Sequence, residues 1–351
     1  MVKWQGLGGR VKVRPEDFVV EEVWETKVVT VNSSLLTMLK DFVKSKLPKQ
    51  RKDFVYFTLV KRNWDTVKAL RYVGFQLHCS LKRFGFSGQK DKRAVTAQRV
   101  SVWKKSIPEL RRVRVKDLKL KDFTYGEEPI TLGVSTGNRF TVTIREVPKA
   151  RREIEEALKT FSERIEDGIP NFYGEQRLGK EDSNVLIGKA LMEGDLKGAV
   201  ETLLAKVKFF VDNGRVGEIP DVFWIEKRVL NHLEKLPNDY AGGLRKIPKK
   251  IRRIFPQAYQ AKLFNDTLRS SLAKGDCAKK IVIDGFDIPQ MPELSCKKFE
   301  RKTFLSIRDF KILKVEDRLA MVKFELGKGE YASVFLEELI NGDLCERPCT
   351  I

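Results

Sequence analysis

The hydrophobic pattern of this chain changes character twice, and that limits its fold more than any single motif does. Before about residue 167 the signals are short strands with few helices. DFVYFTLVKR (residues 53–62) is a strongly β-prone run that reads as a central strand, and QRVSVW and RFTVTIREV (139–147) are two more. In VKVRPEDFVVEEVW, the positions Val11, Val13, Phe18, Val20 and Val23 predict two short strands broken at Pro15. Asn63 is placed to N-cap a helix over 64–81, with Val67, Leu70, Val73 and Leu77 three to four residues apart. A second helix is expected over 150–167, with the stripe Ile154, Leu158, Phe161, Ile165 and a terminating Gly168.

From about 168 to 305 helical signals dominate. NVLIGKALMEGDLKGAVETLLAKV predicts two helices around Gly194, and FPQAYQAKLFNDTLRSSLAKG one helix with Pro256 in its first turn and Gly275 after its end. LAMVKFELGKGEYASVFLEELI then returns to strand, glycine loop and helix. The connections near the ends are too short for repeated parallel crossovers. The expected class is therefore α+β, a mostly antiparallel sheet with helices on one face, its distant ends joined around a helical insertion. The expected division is 1–166 with 308–351 for the sheet domain and 167–307 for the insertion. At 351 residues the chain has room for both, and 42% hydrophobic content rules out global disorder.

No apolar run is long enough to span a bilayer, and the start lacks the apolar core of a signal peptide. Five cysteines at irregular spacing predict reduced thiols in a cytoplasmic protein rather than a disulfide framework. Cys345 and Cys349 have no second Cys/His pair at workable spacing, so no metal site is expected. The net charge of +20 favours a polyanionic partner, because counterion release rewards binding to nucleic acid. Heat-adapted proteins also carry dense surface charge, but they mix both signs, and this balance is lopsided.

Several chemistries lack their signatures. There is no G-x-x-x-x-G-K-[ST] phosphate loop, no G-x-G-x-x-G after a strand, and no H-x-E with a C-x-x-C pair. With only two histidines, catalysis falls to a carboxylate, lysine or tyrosine. FSGQKDKRAVTAQ draws attention for that reason. Gly85 and Gly88 permit tight geometry or close approach of a ligand. Lys90, Lys92 and Arg93 surround Asp91; they favour its ionised form and are suited to hold RNA phosphates. An isolated carboxylate is suited to act as nucleophile or base at a sugar carbon. Taken by themselves, these residues describe a charged surface turn.

The wider context changes that weighting. The segment Gly88, Lys90, Asp91, Lys92, Arg93, Ala94, Thr96, Gln98 resembles the catalytic segment of the TruD family of pseudouridine synthases. The resemblance continues in E-D-F-x-V-x-E (Glu16, Asp17, Phe18, Val20, Glu22) and in G-N-x-F (Gly137, Asn138, Phe140), followed by Arg145. It extends to PNFYGEQRLG (170–179), to AYQAKLFN (258–265), and to Gly329, Tyr331, Ala332 and Ser333, covering nearly the whole chain in order. Gln89, Leu178 and Ser333 depart from the commoner family residues without removing a group the chemistry needs.

The resemblance implies a pseudouridine-synthase core with a largely helical inserted domain and a cleft between them. It also implies isomerisation of a uridine in tRNA, typically uridine 13, without cofactor or metal. Asp91 would be the essential carboxylate, acting at C1′ or at C2′, with Lys12 or Arg14 as its basic partner. Phe140 would stack on the extruded base, Asn138 would meet the uracil edge, and Phe18, Tyr331 and Lys90 would line the nucleotide. Lys92, Arg93 and Arg177 are candidate RNA contacts. Each has a plainer counterpart: core aromatics for Phe18, Phe140 and Tyr331, a turn residue for Asn138, surface charges for the cations. The expected partner is tRNA, with no membrane and no obligate protein partner, so a monomer. The main rival is a non-catalytic basic RNA-binding protein of the same fold; a methyltransferase and a DNA-binding protein rank lower.

Overall fold

The computed structural model describes residues 4–25, 27–32 and 52–342. Cys345 and Cys349 lie outside the described residues, whereas Cys79, Cys277 and Cys296 are free thiols. The chain forms two compact units. One runs to Ile169 and resumes at Leu305, and the other is Pro170–Phe304.

In chain order the strands are β1 (Phe18–Trp24), β2 (Lys27–Val28), β3 (Phe54–Arg62), β4 (Phe84–Phe86), β5 (Val95–Trp103) and β6 (Leu118–Gly126). They continue as β7 (Gly137–Arg145), β8 (Lys280–Ile283), β9 (Phe299–Lys302), β10 (Arg308–Glu316) and β11 (Leu319–Gly327). The sheet of the first unit has the order β10-β11-β7-β1-β5-β3-β6, with β2 beside β1 and β4 beside β5. Among the described residues only β1 and β5 pair in parallel; the sheet's other pairings are antiparallel. The class is α+β.

One face of this sheet is apolar and helix-covered. Val55, Phe57 and Leu59 alternate inward from β3 and pack with Val100 and Val102 against Ala69, Leu70 and Val73 of the helix Thr66–Gln76. Toward β11, the helices Arg151–Asp167 and Ala332–Asn341 meet the sheet through a run of rings. Phe161 lies 5.5 Å from Phe335, and Phe335 lies 3.9 Å from Phe324. In the second unit, helices including Ser183–Glu193, Leu196–Leu204, Trp224–Leu233 and Ile254–Lys274 enclose a core with Ile187, Leu191, Leu203, Val229 and Phe255. β8 and β9 form a separate two-stranded sheet there.

Three local expectations are corrected. Residues 11–13 are not a strand: Lys12 has φ 57°, a left-handed conformation that ends any extended run, and Pro15–Asp17 is a short 3-10 turn. Asp65, not Asn63, caps the first helix by accepting from the Lys68 N–H at 2.9 Å. Asn63 is still tied to the sheet edge through its own N–H to the Ala94 carbonyl (3.0 Å). In Arg151–Asp167, Arg164 rather than Ile165 completes the buried stripe.

Arg164 belongs there because its Nε donates to the buried Glu338 at 3.1 Å, joining the two helices. Arg164→Met leaves that carboxylate short of its cation and is expected to lower stability by about 3 kcal/mol or more. Denaturant unfolding checks this, and Arg164→Met/Glu338→Met should recover most of the loss.

Candidate active site

The strand register lays out the floor of the site. Lys61, Thr96, Val20, Phe140 and Phe324 stand side by side across β3, β5, β1, β7 and β11. One step along, Leu59 faces Gln98, and Asn138 faces both Glu22 and Leu326. Because alternate residues share a face, these polar groups point to the same helix-covered side as Phe57. Lys61, Thr96, Gln98 and Glu22 are all fully buried. Burying such groups costs free energy unless they are partnered, and Lys61, Gln98 and Glu22 each find a partner in the loop before β5, whereas Thr96 Oγ1 has none among the described residues.

Glu22 accepts from Lys90 Nζ (2.9 Å), Trp24 Nε1 (2.8 Å), the Arg99 N–H (2.8 Å) and the Ser87 hydroxyl. Gln98 Nε2 donates to the Gly88 carbonyl (3.0 Å), and Thr66 Oγ1 donates to Gln98 Oε1 (3.2 Å) while accepting the Lys90 N–H (3.1 Å). Lys61 Nζ donates to the carbonyls of Trp64 (2.8 Å), Lys90 (3.2 Å) and Asp91 (2.6 Å). Burial pushes the Lys61 pKa down to about 8, although Asp91 and Asp65 pull it back toward its usual value. Gly85 is required by packing, since a Cβ there would lie 2.3 Å from the Ile130 carbonyl oxygen. At Gly88 a Cβ would meet nothing within 4 Å.

The clamped loop presents Asp91 at its top, with the side chain 45% exposed. Lys12 Nζ donates to Asp91 Oδ1 at 2.7 Å and lies 4.0 Å from the centre of the Phe18 ring. Phe18 packs 5.9 Å from Phe140, which stacks on Phe324 at 5.2 Å. The cation therefore sits between the carboxylate and an aromatic floor. Of the two cations expected there, Lys12 makes the contact with Asp91, while the Arg14 backbone N–H goes to Asp17 Oδ2 at 2.8 Å. Burial would raise the Asp17 pKa, but the Arg145 hydrogen bonds and the Arg14 N–H hold it below the usual carboxylate value. Asp17 and Arg145, at 2.8 Å, join two of the sequence motifs.

Lys90, expected among the nucleotide and RNA contacts, is turned inward; its side chain is 7% exposed and bound to Glu22. Lys92 and Arg93 remain at the surface, Arg93 donating to the Val13 carbonyl at 3.1 Å. Phe18 and Phe140 are 1% and 5% exposed, so they form a floor rather than an open platform. Asn138 keeps a buried Oδ1 with no hydrogen-bond partner among the described residues. Tyr331 is partly exposed at the N-cap of Ala332–Asn341. Arg177 belongs to the second unit, in the short helix Glu175–Leu178. Sequence reasoning passed over Lys61 and left Glu22 as a motif letter without a role. Their parity with Leu59 and Val20 was the available signal, because it sends both side chains inward.

Among the described residues, no group of three or more His, Cys, Asp or Glu side chains is placed to hold a metal ion. No helix among them is long and apolar enough to cross a membrane.

The family model for tRNA pseudouridine synthase D (TruD) matches residues 1–284. The chain belongs to the TruD family. A protein of Methanocaldococcus jannaschii named probable tRNA pseudouridine synthase D 1 is 30% identical over 385 residues, covering 95% of each chain. A Methanopyrus kandleri protein named probable tRNA pseudouridine synthase D is 29% identical over 347 residues, covering 82% of this chain and 85% of its own. A TruD crystal structure from Methanosarcina mazei superposes with a TM-score of 0.74 over 95% of this chain and 94% of its own, at 24% identity, and so shares the fold. As a TruD-family member the chain is a pseudouridine synthase. Its clamped loop carries the segment read in the sequence as the family's catalytic one.

Proposed function

We propose that this TruD-family enzyme converts uridine 13 of tRNA to pseudouridine through Asp91, without a cofactor. The observation that carries this reading is the Asp91–Lys12 pair, held at 2.7 Å above a loop fixed by Lys61 and Glu22. In the reaction the N1–C1′ bond breaks, uracil turns, a C1′–C5 bond forms, the C5 proton leaves and N1 gains one. Atoms and electrons balance within the nucleotide. Asp91 acts at C1′ as nucleophile or at C2′ as base, and in either role the Lys12 ammonium holds its carboxylate in place. The unpaired Asn138 oxygen is suited to accept from the uracil imide, whose N3–H is its complementary donor. The remaining assignments are residues 1–166 with 308–351 as the catalytic domain and 167–307 as the inserted one. The enzyme is taken to act as a cytoplasmic monomer on tRNA, which the net charge of +20 favours.

The test is a tRNA transcript bearing uridine at position 13 beside one bearing cytidine there. Pseudouridine at 13 in the first and none in the second is expected; product confined to another uridine overturns the site. Lys12→Met should lower the single-turnover rate about 10²-fold by removing the cation that orients Asp91, with tRNA affinity changed far less. Lys12→Arg should recover part of the rate.

A further inference from the structure

The second unit contains a cavity of about 370 Å³ whose charged lining residues are Arg177, Arg253, Lys297 and Lys298; no aspartate or glutamate lines it. Nearby arginines are neutralised: Arg245 and Arg252 both reach Glu293, at 3.1 and 3.0 Å. The cavity's own cations are not treated alike. Arg177 has a buried Nε with no acceptor, and Arg253 and Lys297 are exposed with no acidic side-chain partner among the described residues. Lys298 alone is paired, with Asp284 at 3.3 Å. Unpaired guanidinium donors beside a lysine are complementary to a phosphate, which offers several acceptor oxygens at once. A stacked base fits less well. Tyr173, the cavity's tyrosine, already carries the Arg301 guanidinium 4.1 Å from its ring centre and packs edge-on with Phe264.

We propose that this cavity seats a backbone phosphate of the tRNA substrate, a contact that positions the RNA without reading its sequence. The proposal rests on tRNA being the substrate and goes beyond it by naming a second RNA contact outside the Asp91 loop.

The test uses the exposed pair, whose loss spares the core. Arg253→Gln/Lys297→Gln should weaken tRNA binding about tenfold near physiological salt and reduce the slope of log K against log salt by about one to two. A control, Lys235→Gln/Lys246→Gln, removes two exposed lysines away from the cavity and should change binding by less than twofold. Cys296 lines the cavity and reports occupancy directly: tRNA should slow its alkylation in wild type and not in the double variant. Unchanged affinity and slope in Arg253→Gln/Lys297→Gln overturn the proposal. Protection of Cys296 by millimolar inorganic phosphate but not by tRNA also overturns it, pointing to a free anion. The two readings fail separately. A wild-type protein that binds tRNA through this cavity but forms no pseudouridine defeats the proposed function alone. An active enzyme indifferent to these substitutions defeats the cavity alone.

Discussion

Asp91→Asn should abolish pseudouridine formation, lowering the single-turnover rate on the order of 10⁴-fold or more, while tRNA binding stays within a few fold of wild type. The amide nearly matches the carboxylate in shape, and the site is open enough to accept it. What it removes is the charge: an amide neither attacks a sugar carbon nor takes a proton from one. The fold should be little affected, because a partly exposed ion pair contributes at most about 1 kcal/mol. Loss of activity with an unchanged melting temperature separates this result from unfolding. A fully active Asp91→Asn protein would remove Asp91 from the reaction.

Lys61 carries the second large effect, although it sits under the loop rather than beside the substrate. Its ammonium binds three carbonyl oxygens, those of Trp64, Lys90 and Asp91. Lys61→Met leaves these acceptors without their donor while also relieving the desolvation of a buried charge. The net loss of stability is expected to be about 1–3 kcal/mol. The rate should fall about 10²-fold, because a loop displaced by about an ångström no longer presents the carboxylate correctly. The pH dependence gives a sharper test. Burial lowers the folded-state pKa to about 8 from 10.5, so between these values the unfolded chain binds the proton more tightly. The contribution of this group to stability therefore rises with pH across that window. Activity should move the other way, because a neutral amine has two N–H donors for three carbonyls and no charge beside Asp91. Wild type should show an alkaline fall in kcat/KM centred near pH 8, absent from the residual activity of Lys61→Met. A wild-type profile flat through pH 9 would contradict this role.

The sequence made the main sheet strands legible where apolar residues alternate or run together, as in Phe54–Arg62 and Gly137–Arg145. The long helices were legible from their stripes and from glycines such as Gly194 and Gly275, both left-handed at the ends expected. Leu118–Gly126 and Arg308–Glu316 escaped notice because lysines, arginines and acids interrupt their alternation. The candidate site was legible through its motif letters, which singled out Asp91 but left its basic partner open between Lys12 and Arg14; the 2.7 Å contact with Lys12 came from the fold. What the letters conceal is direction. Lys90 adjoins Asp91 in sequence and seemed an external cation, yet the buried Glu22 draws it inward. Lys61 drew no attention near the end of its β-prone run, and its odd-numbered position beyond Leu59 puts it in the core. Such inversions depend on a long-range partner, which local spacing does not specify.

The most direct measurement of the central claim is pseudouridine mapping by carbodiimide-stop sequencing on unmodified total tRNA, with wild-type and Asp91→Asn proteins side by side. The account predicts a new stop signal at uridine 13 with wild type and none with Asp91→Asn, although both proteins bind the RNA. No new pseudouridine with wild type, or equal signal from both proteins, would contradict it.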